Sequence, residues 1–319
     1  MVIQTAFIGD AILASSVLEK LHAFFPKAKI SILVRKGNES LYDEHPFLDR
    51  VLVWNKQQGK YKSLFNLLKI IRQSKFDTVI NLHRFASSGF LTAFSKARYT
   101  SGYNKNPFSF LFDNKSNHKI GDGRHEVERY NDLIESITDS TVAKPKLYPS
   151  FKQFSKIEEY VSLPFVCMAP SSVWFTKQLP KEKWIELCDV TPAETTIYLL
   201  GGPSDKILCD ELKDKSTHSA IKNLAGKLSL LESCELMKHA KMNYVNDSGP
   251  LHLASAGNSP VTAFFCSTVP AYGFYPLSYN SSVIEVKDLY CKPCGLHGYK
   301  ACPEGHFKCG KEILLPLSK

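Results

Sequence analysis

The stretch KMNYVNDSGPLHLASAGNSPVTAFF, residues 241–265, holds two apolar runs separated by a segment of small residues. The first run ends in Asn-Asp-Ser-Gly-Pro. This sequence favours a turn into a helix, because Asp and Ser cap helix N-termini and Pro suits the first helical turn. A strand, a short helix and a second strand in so short a span predict one βαβ unit. The stretch therefore predicts a parallel sheet with helices packed against it.

The polar residues of this turn allow two interpretations. Asp247 and Ser248 could simply cap the helix by accepting hydrogen bonds from its first backbone N–H groups. Alternatively, the free N–H groups and the positive end of the helix dipole could bind a phosphate group, with His252 about one turn into the helix. Local chemistry alone favours the cap. Both interpretations stay open on this stretch taken by itself.

The same alternation of strand and helix patterns runs along the whole chain. In the first half, the apolar runs VIQTAFI and KISILV alternate with the helical patterns AILASSVLEKLHAFF and SLFNLLKIIRQS. The second half repeats the alternation with FVCMAP, TTIYLLGG and the amphipathic segments between them. The segment KPKLYPSFKQF, which contains two prolines, predicts the connection between the halves. We therefore predict two Rossmann-like α/β domains, residues 1–150 and 151–319, with ligands at the carboxyl ends of the strands.

The composition is that of an ordinary globular protein. Of 319 residues, 44% are hydrophobic and 22% are charged, and no apolar run reaches the ~18 residues that span a bilayer. The formal net charge of +9 favours anionic partners such as nucleotides or acidic lipid surfaces. No nucleic-acid-binding motif is present, so we expect no nucleic-acid partner. An odd number of cysteines and a poor match to a secretory signal favour a reducing, cytoplasmic location.

Two further strand-to-helix turns carry polar residues. In FIGDAILASS, Gly9 and Asp10 form the turn after the first strand, where a glycine permits close approach of a ligand to the backbone. In APSSVWFTKQLPKEKW, the residues Ser171, Ser172 and Lys177 follow another strand, and their hydroxyl and ammonium groups could hold a diphosphate. Each turn also fits a helix cap or a solvated loop. The dinucleotide-binding pattern G-x-G-x-x-G is absent from the first turn.

Taken in order, these turns and their flanking residues resemble the lipopolysaccharide heptosyltransferases of glycosyltransferase family 9. The resemblance covers nearly the whole chain and rests on FIGDAILASS, FDTVINLH, HEVERY, the Ser-Ser…Lys-Gln-Leu-Pro segment, LGGPSD, NLAGKLSLLE and NDSGPLHLASA. It implies the GT-B architecture, in which two Rossmann-like domains face each other across a cleft. It also implies an inverting transfer of heptose from ADP-heptose to the growing lipopolysaccharide core, with no cofactor required.

The resemblance implies roles for individual residues at these turns. Asp10 matches the general base that takes the acceptor's proton, and Lys177 matches the catalytic lysine that contacts the donor diphosphate. Asp247 would shape its turn or contact the ribose side rather than take part in the chemistry. The other implied donor-binding residues are Ser171, Ser172, Gly201, Gly202, Ser248, Gly249 and His252. An exposed Asp titrates near ~3.9, so Asp10 would have to accept a proton that is already leaving.

The resemblance also implies where the protein works. It assigns the acceptor to the first domain and the nucleotide sugar to the second. The acceptor is a lipid-linked glycan, so we expect a cytoplasmic protein in peripheral contact with the inner membrane, toward which its positive charge attracts it. Two alternatives stay open. A nucleotide-sugar epimerase shares the two-domain fold but needs extra carboxylates, and a degenerate, non-catalytic GT-B binding protein would not need Asp10 and Lys177.

The last candidate site is a cysteine-rich tail, CKPCGLHGYKACPEGHFKC, at residues 291–309. Cys291 and Cys294 have the C-x2-C spacing of half a zinc site, whereas Cys302 and Cys309 do not. A structural zinc ion, disulfide bonds and free thiols in a compact loop all stay open. We expect no catalytic metal, because a lysine and a helix dipole can replace one at a diphosphate.

Overall fold

The chain folds into two compact units, Met1–Tyr148 and Pro149–Lys319, in a computed structural model that describes residues 1–56 and 59–316. Each unit is built around one six-stranded sheet. All the strand pairings in both sheets are parallel. Parallel strands need crossover connections, which explains why strands and helices alternate along the sequence. The α/β class predicted from this alternation is confirmed.

Among its described residues, the first unit contains six strands in the order β3-β2-β1-β4-β5-β6 and four α-helices. Its elements are β1 (Val2–Gln4), α1 (Ile8–Phe24), β2 (Ile30–Arg35), β3 (Leu48–Trp54), α2 (Lys60–Ser74), β4 (Thr78–Asn81), α3 (Ala86–Ala93), β5 (Tyr99–Tyr103), β6 (Asn114–Ser116) and α4 (Glu126–Asp132).

The core of the first unit lies between its sheet and its helices. β1 and β2 are buried at every position except Arg35, as expected for parallel strands covered on both faces. Ile3 and Leu33 of these strands form one cluster with Trp54 and with Ile71 of α2. Each such side chain contributes roughly 1.5–3 kcal/mol when it leaves water. Burial of this apolar face therefore holds the helix on the sheet.

The second unit also contains six strands, in the order β12-β11-β10-β7-β8-β9. Its elements are α5 (Phe151–Ile157), β7 (Phe165–Ala169), α6 (Lys181–Asp189), β8 (Thr196–Leu199), α7 (Lys206–Lys215), β9 (Ile221–Asn223), α8 (Leu230–His239), β10 (Asn243–Asn246), α9 (Gly249–Gly257), β11 (Val261–Phe265), β12 (Ser281–Glu285) and α10 (Lys308–Lys311).

The core of the second unit includes residues from the end of the chain. Trp184 of α6 packs edge-to-face on Phe264 of β11, with ring centroids 5.5 Å apart. Phe307, Cys309 and Ile313 join the same buried cluster. The cysteine-rich tail is therefore part of this unit's core rather than a loose extension.

Strand order reverses once in each sheet, and these reversals position the candidate sites. In the first unit the chain proceeds from β1 outward to β3, then returns to start β4 on the other side of β1. In the second unit β10 likewise starts on the other side of β7. At such switch points the loops after the two central strands diverge and leave a crevice for a ligand. The turns singled out in the sequence follow β1, β7, β8 and β10.

Short elements differ most from what the sequence suggests. Helix α4, which contains most of the motif HEVERY, ends at Asp132, and a separate 3-10 turn covers Glu135–Ile137. The segment predicted as a connection contains α5, whose start is fixed because the Ser150 backbone N–H donates to Gln153 Oε1 at 2.8 Å. The three-residue strands β6 and β9 were too short to show a periodicity.

Within residues 1–56 and 59–316, none of the helices combines the length and the apolarity needed to cross a bilayer.

Candidate functional site

The switch point of the first unit is bridged by a hydrogen bond between two loops. Thr5 follows β1, His83 follows β4, and Thr5 Oγ1 lies 3.1 Å from His83 Nδ1. Burial, together with the charges of Lys56 and Arg84, lowers the pKa of His83 to about 4. The imidazole is therefore neutral at pH 7, and the two loops are joined without adding charge to the crevice.

Asp10 lies at this switch point, but not in the position that the sequence suggested. The expected Gly9-Asp10 turn before the helix is wrong, because α1 begins at Ile8 and Asp10 is its third residue. The helix starts this early because Phe7, rather than Asp10, is the extended residue at the N-cap position. Asp10 is half-buried. Burial and the nearby negative charge of Glu126 raise the pKa of Asp10 to about 7. The carboxylate is therefore poised to exchange a proton near neutral pH.

The charge of Glu126 is maintained by a buried network. Burial alone would raise the pKa of Glu126, but hydrogen bonds from His118 and Arg129 hold it below its ordinary value. His118 Nε2 lies 2.9 Å from Glu126 Oε1, and Arg129 Nη1 donates to Glu126 Oε2 at 2.9 Å. Arg129 also donates to Asp122 Oδ1 at 2.8 Å. The network thus fixes a negative charge near Asp10.

Sequence reasoning did not assign a role to this network. Its signal was the motif HEVERY, which contains Glu126 and Arg129 three positions apart on one face of α4. His125 of the same motif caps α4, because its Nδ1 accepts from the Val127 backbone N–H at 3.2 Å. The motif was noted only as part of a family pattern, since periodicity does not show that a glutamate side chain is buried.

In the second unit, Lys177 and Asp247 come together from different loops. Lys177 Nζ lies 2.7 Å from Asp247 Oδ2, and the two side chains are only 16% and 7% exposed. Thr268 Oγ1 donates to the same carboxylate oxygen at 2.6 Å. The loop after β7 and the turn after β10 are therefore joined by an ion pair that holds the ammonium group at the switch point.

Asn246, the last residue of β10, fixes the backbone of both loops. Its Nδ2 donates to the Pro170 carbonyl at 2.8 Å, and its Oδ1 accepts from the Leu179 N–H at 2.9 Å. The Ser171 carbonyl lies 3.4 Å from Ser248 Oγ. The Ser172 carbonyl accepts from Gln178 Nε2 at 2.6 Å. Ser171 and Ser172 are thus held in place through their backbone carbonyl groups. Asn246 was missed because a strand-ending Asn is an ordinary turn residue.

The N-terminus of α9 bears on the two interpretations of the opening stretch. Ser248 occupies the N-cap position, but its side chain makes no capping hydrogen bond, and the Asp247 carboxylate is engaged with Lys177. The expectation of a side-chain cap from these residues is therefore wrong. Gly249 opens the helix, and His252 is buried in its first turn, 6.1 Å from the Phe274 ring. A helix N-terminus without its own cap at a switch point favours the phosphate-binding interpretation.

Gly201 and Gly202 follow β8, the neighbour of β7 on the other side. The Gly202 N–H donates to Asp205 Oδ2 at 2.8 Å, and the Gly201 carbonyl accepts from the Gly226 N–H at 2.9 Å. A Cβ atom on Gly201 would lie 2.8 Å from the Cβ of Asp205. Close packing against Asp205 of the same loop therefore explains the glycine at this position, and contact with the donor stays a prediction.

The four cysteines of the tail are free thiols. Cys309 is buried, and Cys291, Cys294 and Cys302 are half-buried. Burial raises the pKa of Cys309 to about 11, so this thiol is protonated at neutral pH. No three His, Cys, Asp or Glu side chains in the described parts of the chain are arranged to hold a metal ion. The zinc and disulfide alternatives therefore gain no support from the geometry.

The tail instead packs against the loop that carries Lys177. The Thr176 N–H donates to the Tyr299 carbonyl at 3.1 Å, and the Tyr299 N–H donates to Thr176 Oγ1 at 2.7 Å. Ser267 Oγ donates to Thr176 Oγ1 at 3.0 Å, and the Cys294 N–H donates to the Ser267 carbonyl at 2.8 Å. These bonds fix the residue that precedes Lys177. Sequence patterns did not reveal this contact, because it joins segments far apart in the chain.

Comparison with known proteins gives a consistent result. Residues 64–302 match the family model described as glycosyltransferase family 9 (heptosyltransferase). Lipooligosaccharide heptosyltransferase 2 of Haemophilus influenzae is 24% identical over 308 residues, which cover 90% of this chain and 88% of that protein. Lipopolysaccharide heptosyltransferase 3 of Escherichia coli is 26% identical over 277 residues, 82% of each chain.

A solved structure shows the same architecture. The structure of E. coli ADP-heptose lps heptosyltransferase II superposes with a TM-score of 0.78 at 20% identity and covers 96% of both chains. This likeness confirms the predicted GT-B fold built from two Rossmann-like units.

Proposed function

We propose that this chain, which belongs to glycosyltransferase family 9, transfers a heptose from ADP-heptose to the core of a lipopolysaccharide. The observation that carries the proposal is the meeting of Lys177 with the N-terminus of α9 at the switch point of the second sheet. An ammonium group and a helix N-terminus are the two groups that stabilise a diphosphate without a metal ion. The names of the relatives supply the sugar and the acceptor class.

The donor's diphosphate is the leaving group of this reaction. As the anomeric carbon–oxygen bond breaks, ADP departs with the electron pair and its terminal phosphate gains negative charge. Lys177 and the N–H groups of α9 would stabilise that charge, together with the hydroxyls of Ser171, Ser172 and Ser248. Asp247 keeps Lys177 Nζ in place between turnovers through the 2.7 Å ion pair. Gly201, Gly202 and His252 complete the proposed donor site.

Asp10 supplies the base. An acceptor hydroxyl oxygen forms the new bond to the anomeric carbon on the face opposite the leaving diphosphate, so the configuration inverts. Its proton passes to the Asp10 carboxylate. A pKa of about 7 makes Asp10 a far better proton acceptor than an ordinary aspartate, and Glu126 and burial together produce it. The mechanism therefore does not require Asp10 to act only late in the transition state.

The acceptor sets the location that we propose. A lipid-borne acceptor core lies at the cytoplasmic face of the inner membrane, and a chain of net charge +9 is attracted to such an anionic surface. The protein would then work as a cytoplasmic enzyme in peripheral contact with that surface. A retained base and a retained diphosphate lysine argue against a non-catalytic binding protein, and the family match argues against an epimerase.

Thermal stabilisation by a panel of nucleotides tests the donor assignment. ADP, GDP, UDP, CMP and NAD are each added to the purified protein in excess. ADP alone should raise the melting temperature, on the order of 5 °C near saturation, because a ligand that binds only the native state stabilises it. Lys177→Ala should abolish this shift. Lys181→Ala, which removes an exposed lysine paired with Glu211, is the matched control and should keep it.

The other outcomes are equally informative. A selective shift with UDP or GDP would retain a nucleotide-sugar transferase but reject ADP-heptose as the donor. An ADP shift that survives in Lys177→Ala would remove Lys177 from the diphosphate site. The absence of any nucleotide shift would contradict the proposed function.

A further inference from the structure

The positive charge of the chain is concentrated in one part of the first unit. Residues 59–112 contain nine Lys and Arg residues but a single acidic residue, Asp77, so they account for eight of the nine net positive charges. The same segment holds eight of the 20 phenylalanines. The remainder of the chain is therefore almost neutral. This concentration of charge and aromatic rings is not used by the proposed chemistry.

Four of these phenylalanines form a contiguous group that reaches the surface. Phe65 of α2 contacts Phe90 of α3, with ring centroids 5.6 Å apart, and Phe90 contacts Phe94 at 5.0 Å. Phe108, in the loop after β5, lies 6.1 Å from Phe94. Phe65 and Phe94 are 60% and 37% exposed. We call these four rings the aromatic patch. It is contiguous, and it leaves large apolar side chains in water.

Basic side chains run beside the patch. Lys62, Lys69 and Arg72 lie three residues before, four after and seven after Phe65, so all share its face of α2. Arg72 Nε donates to the Phe94 carbonyl at 2.7 Å, which places this end of the row against α3. We call these three residues the basic stripe. The single acid of the segment, Asp77, is paired with Arg98 at 3.6 Å.

We infer that the aromatic patch and the basic stripe form the surface by which the enzyme docks on an anionic lipid bilayer. Aromatic rings beside lysine and arginine suit such a bilayer surface, because the rings can enter the boundary between headgroups and acyl chains while the cations pair with the lipid phosphates. The inference rests on the proposed function, whose acceptor is carried by a membrane lipid. It assigns the contact to particular residues of the first unit.

Vesicle flotation tests the assignment. The full chain is mixed with vesicles of phosphatidylcholine alone, or of equal parts phosphatidylcholine and phosphatidylglycerol. The wild type should float with the anionic vesicles only, and its binding should weaken as salt increases. The triple variant Lys62→Glu/Phe65→Ser/Lys69→Glu should lower the partition coefficient by about 25-fold or more, since each basic residue near the surface contributes about fivefold.

A matched control is available on α5 of the second unit. Phe151→Ser/Lys152→Glu/Lys156→Glu makes the same change in charge and composition at three exposed positions, and it should retain binding. Equal losses of vesicle binding in both variants, or no loss in the Lys62, Phe65, Lys69 variant, would overturn the docking surface. Only a general electrostatic attraction between the chain and the anionic vesicles would then be left. Failure of the wild type to bind anionic vesicles would also overturn it.

Three further measurements separate this inference from its rivals and from the proposed function. A change of oligomeric state in the Lys62, Phe65, Lys69 variant, seen by light scattering, would assign the patch to a second copy of the chain and overturn the inference. Binding of a single-stranded oligonucleotide that this variant abolishes would overturn it in favour of nucleic acid. Transfer to a water-soluble, lipid-free acceptor should be unchanged in the variant. If that transfer is absent in the wild type while vesicle binding persists, the proposed function fails and the docking surface survives.

Discussion

The two switch points of this molecule share a topology but differ in the state of their carboxylates. Burial, together with the nearby negative charge of Glu126, raises the pKa of Asp10 to about 7. Asp247 lies 2.7 Å from the positive charge of Lys177 and is held in an ion pair. Both follow a central strand of a parallel six-stranded sheet. The fold thus supplies two equivalent places for an acid, and the surroundings of each place determine whether the carboxyl group has a raised pKa or is held in an ion pair.

The largest effect should come from removing the first carboxylate. Asp10→Asn keeps the size of the side chain but cannot accept a proton, so kcat should fall by about 10²–10⁴-fold. The ADP-induced melting shift should be unchanged, because the proposed diphosphate site lies wholly in the second unit. The measurements are heptose transfer to a heptose-free core acceptor and the nucleotide melting assay.

The same two measurements can contradict the assignment of Asp10 as the base. A kcat within threefold of the wild type would show that Asp10 is not the base. Loss of the ADP shift would give Asp10 a role in donor binding instead, and the contrast between the two carboxylates would disappear.

The next effect should come from the second carboxylate. Asp247→Asn leaves the largely buried ammonium of Lys177 without its counter-charge, so the free energy of unfolding should fall by about 3 kcal/mol. Urea denaturation measures the change. Asp210→Asn, which breaks the exposed Lys206–Asp210 pair of α7, is the matched control and should leave stability nearly unchanged. Equal effects in the two variants would mean that the Lys177–Asp247 pair is no more than a surface contact.

A third effect separates the two acids by their response to pH. The folded-state pKa of Asp10, about 7, lies above the ~3.9 of an unfolded aspartate, so the native state holds this proton more tightly. The contribution of Asp10 to wild-type stability is full below about pH 4 and is lost as pH rises to 7. Asp10→Asn should therefore match the wild type at pH 4 and exceed it above pH 7, on the order of 1–3 kcal/mol. Urea titrations across this range measure the difference, and a constant gap would contradict the raised pKa.

The comparison of the two carboxylates also shows which features can be predicted from the sequence and which cannot. Strand and helix alternation predicts the two sheets, and Asp10, Lys177 and Asp247 stand out in the sequence because they follow apolar strands, although the sequence placed Asp10 in a turn rather than in α1. The pKa of Asp10 could not be predicted from the sequence, because it depends in part on Glu126, which lies more than a hundred residues away. Glu126 in turn stays charged because His118 and Arg129 hydrogen-bond to its carboxylate. The same limit hid the contact between Thr176 and the tail.

The prediction of a side-chain cap on α9 failed for a different reason. Asp and Ser before Gly-Pro are standard capping residues, so local propensity predicted a cap. A tertiary ion pair to Lys177 removes the carboxylate, and the serine hydroxyl faces the Ser171 carbonyl instead. Local patterns give the available chemistry of a side chain, and long-range contacts decide which part of it is used.

The smallest effect should come from a substitution in the cysteine-rich tail. This substitution tests whether the contact between the tail and the Lys177 loop helps to position the second switch point. Gly298 has a φ of +75°, and a Cβ there would lie 2.8 Å from Thr176 Oγ1 and 3.1 Å from Lys177 Cγ. Gly298→Ala should therefore cost about 1 kcal/mol of backbone strain and also weaken ADP binding by displacing the lysine. Gly305→Ala is the matched control, because Gly305 has a φ of +70° with no atom within 4 Å of the added Cβ. It should show the same strain in urea denaturation but bind ADP normally. If both variants bind ADP as the wild type does, the tail stabilises the second unit without positioning Lys177.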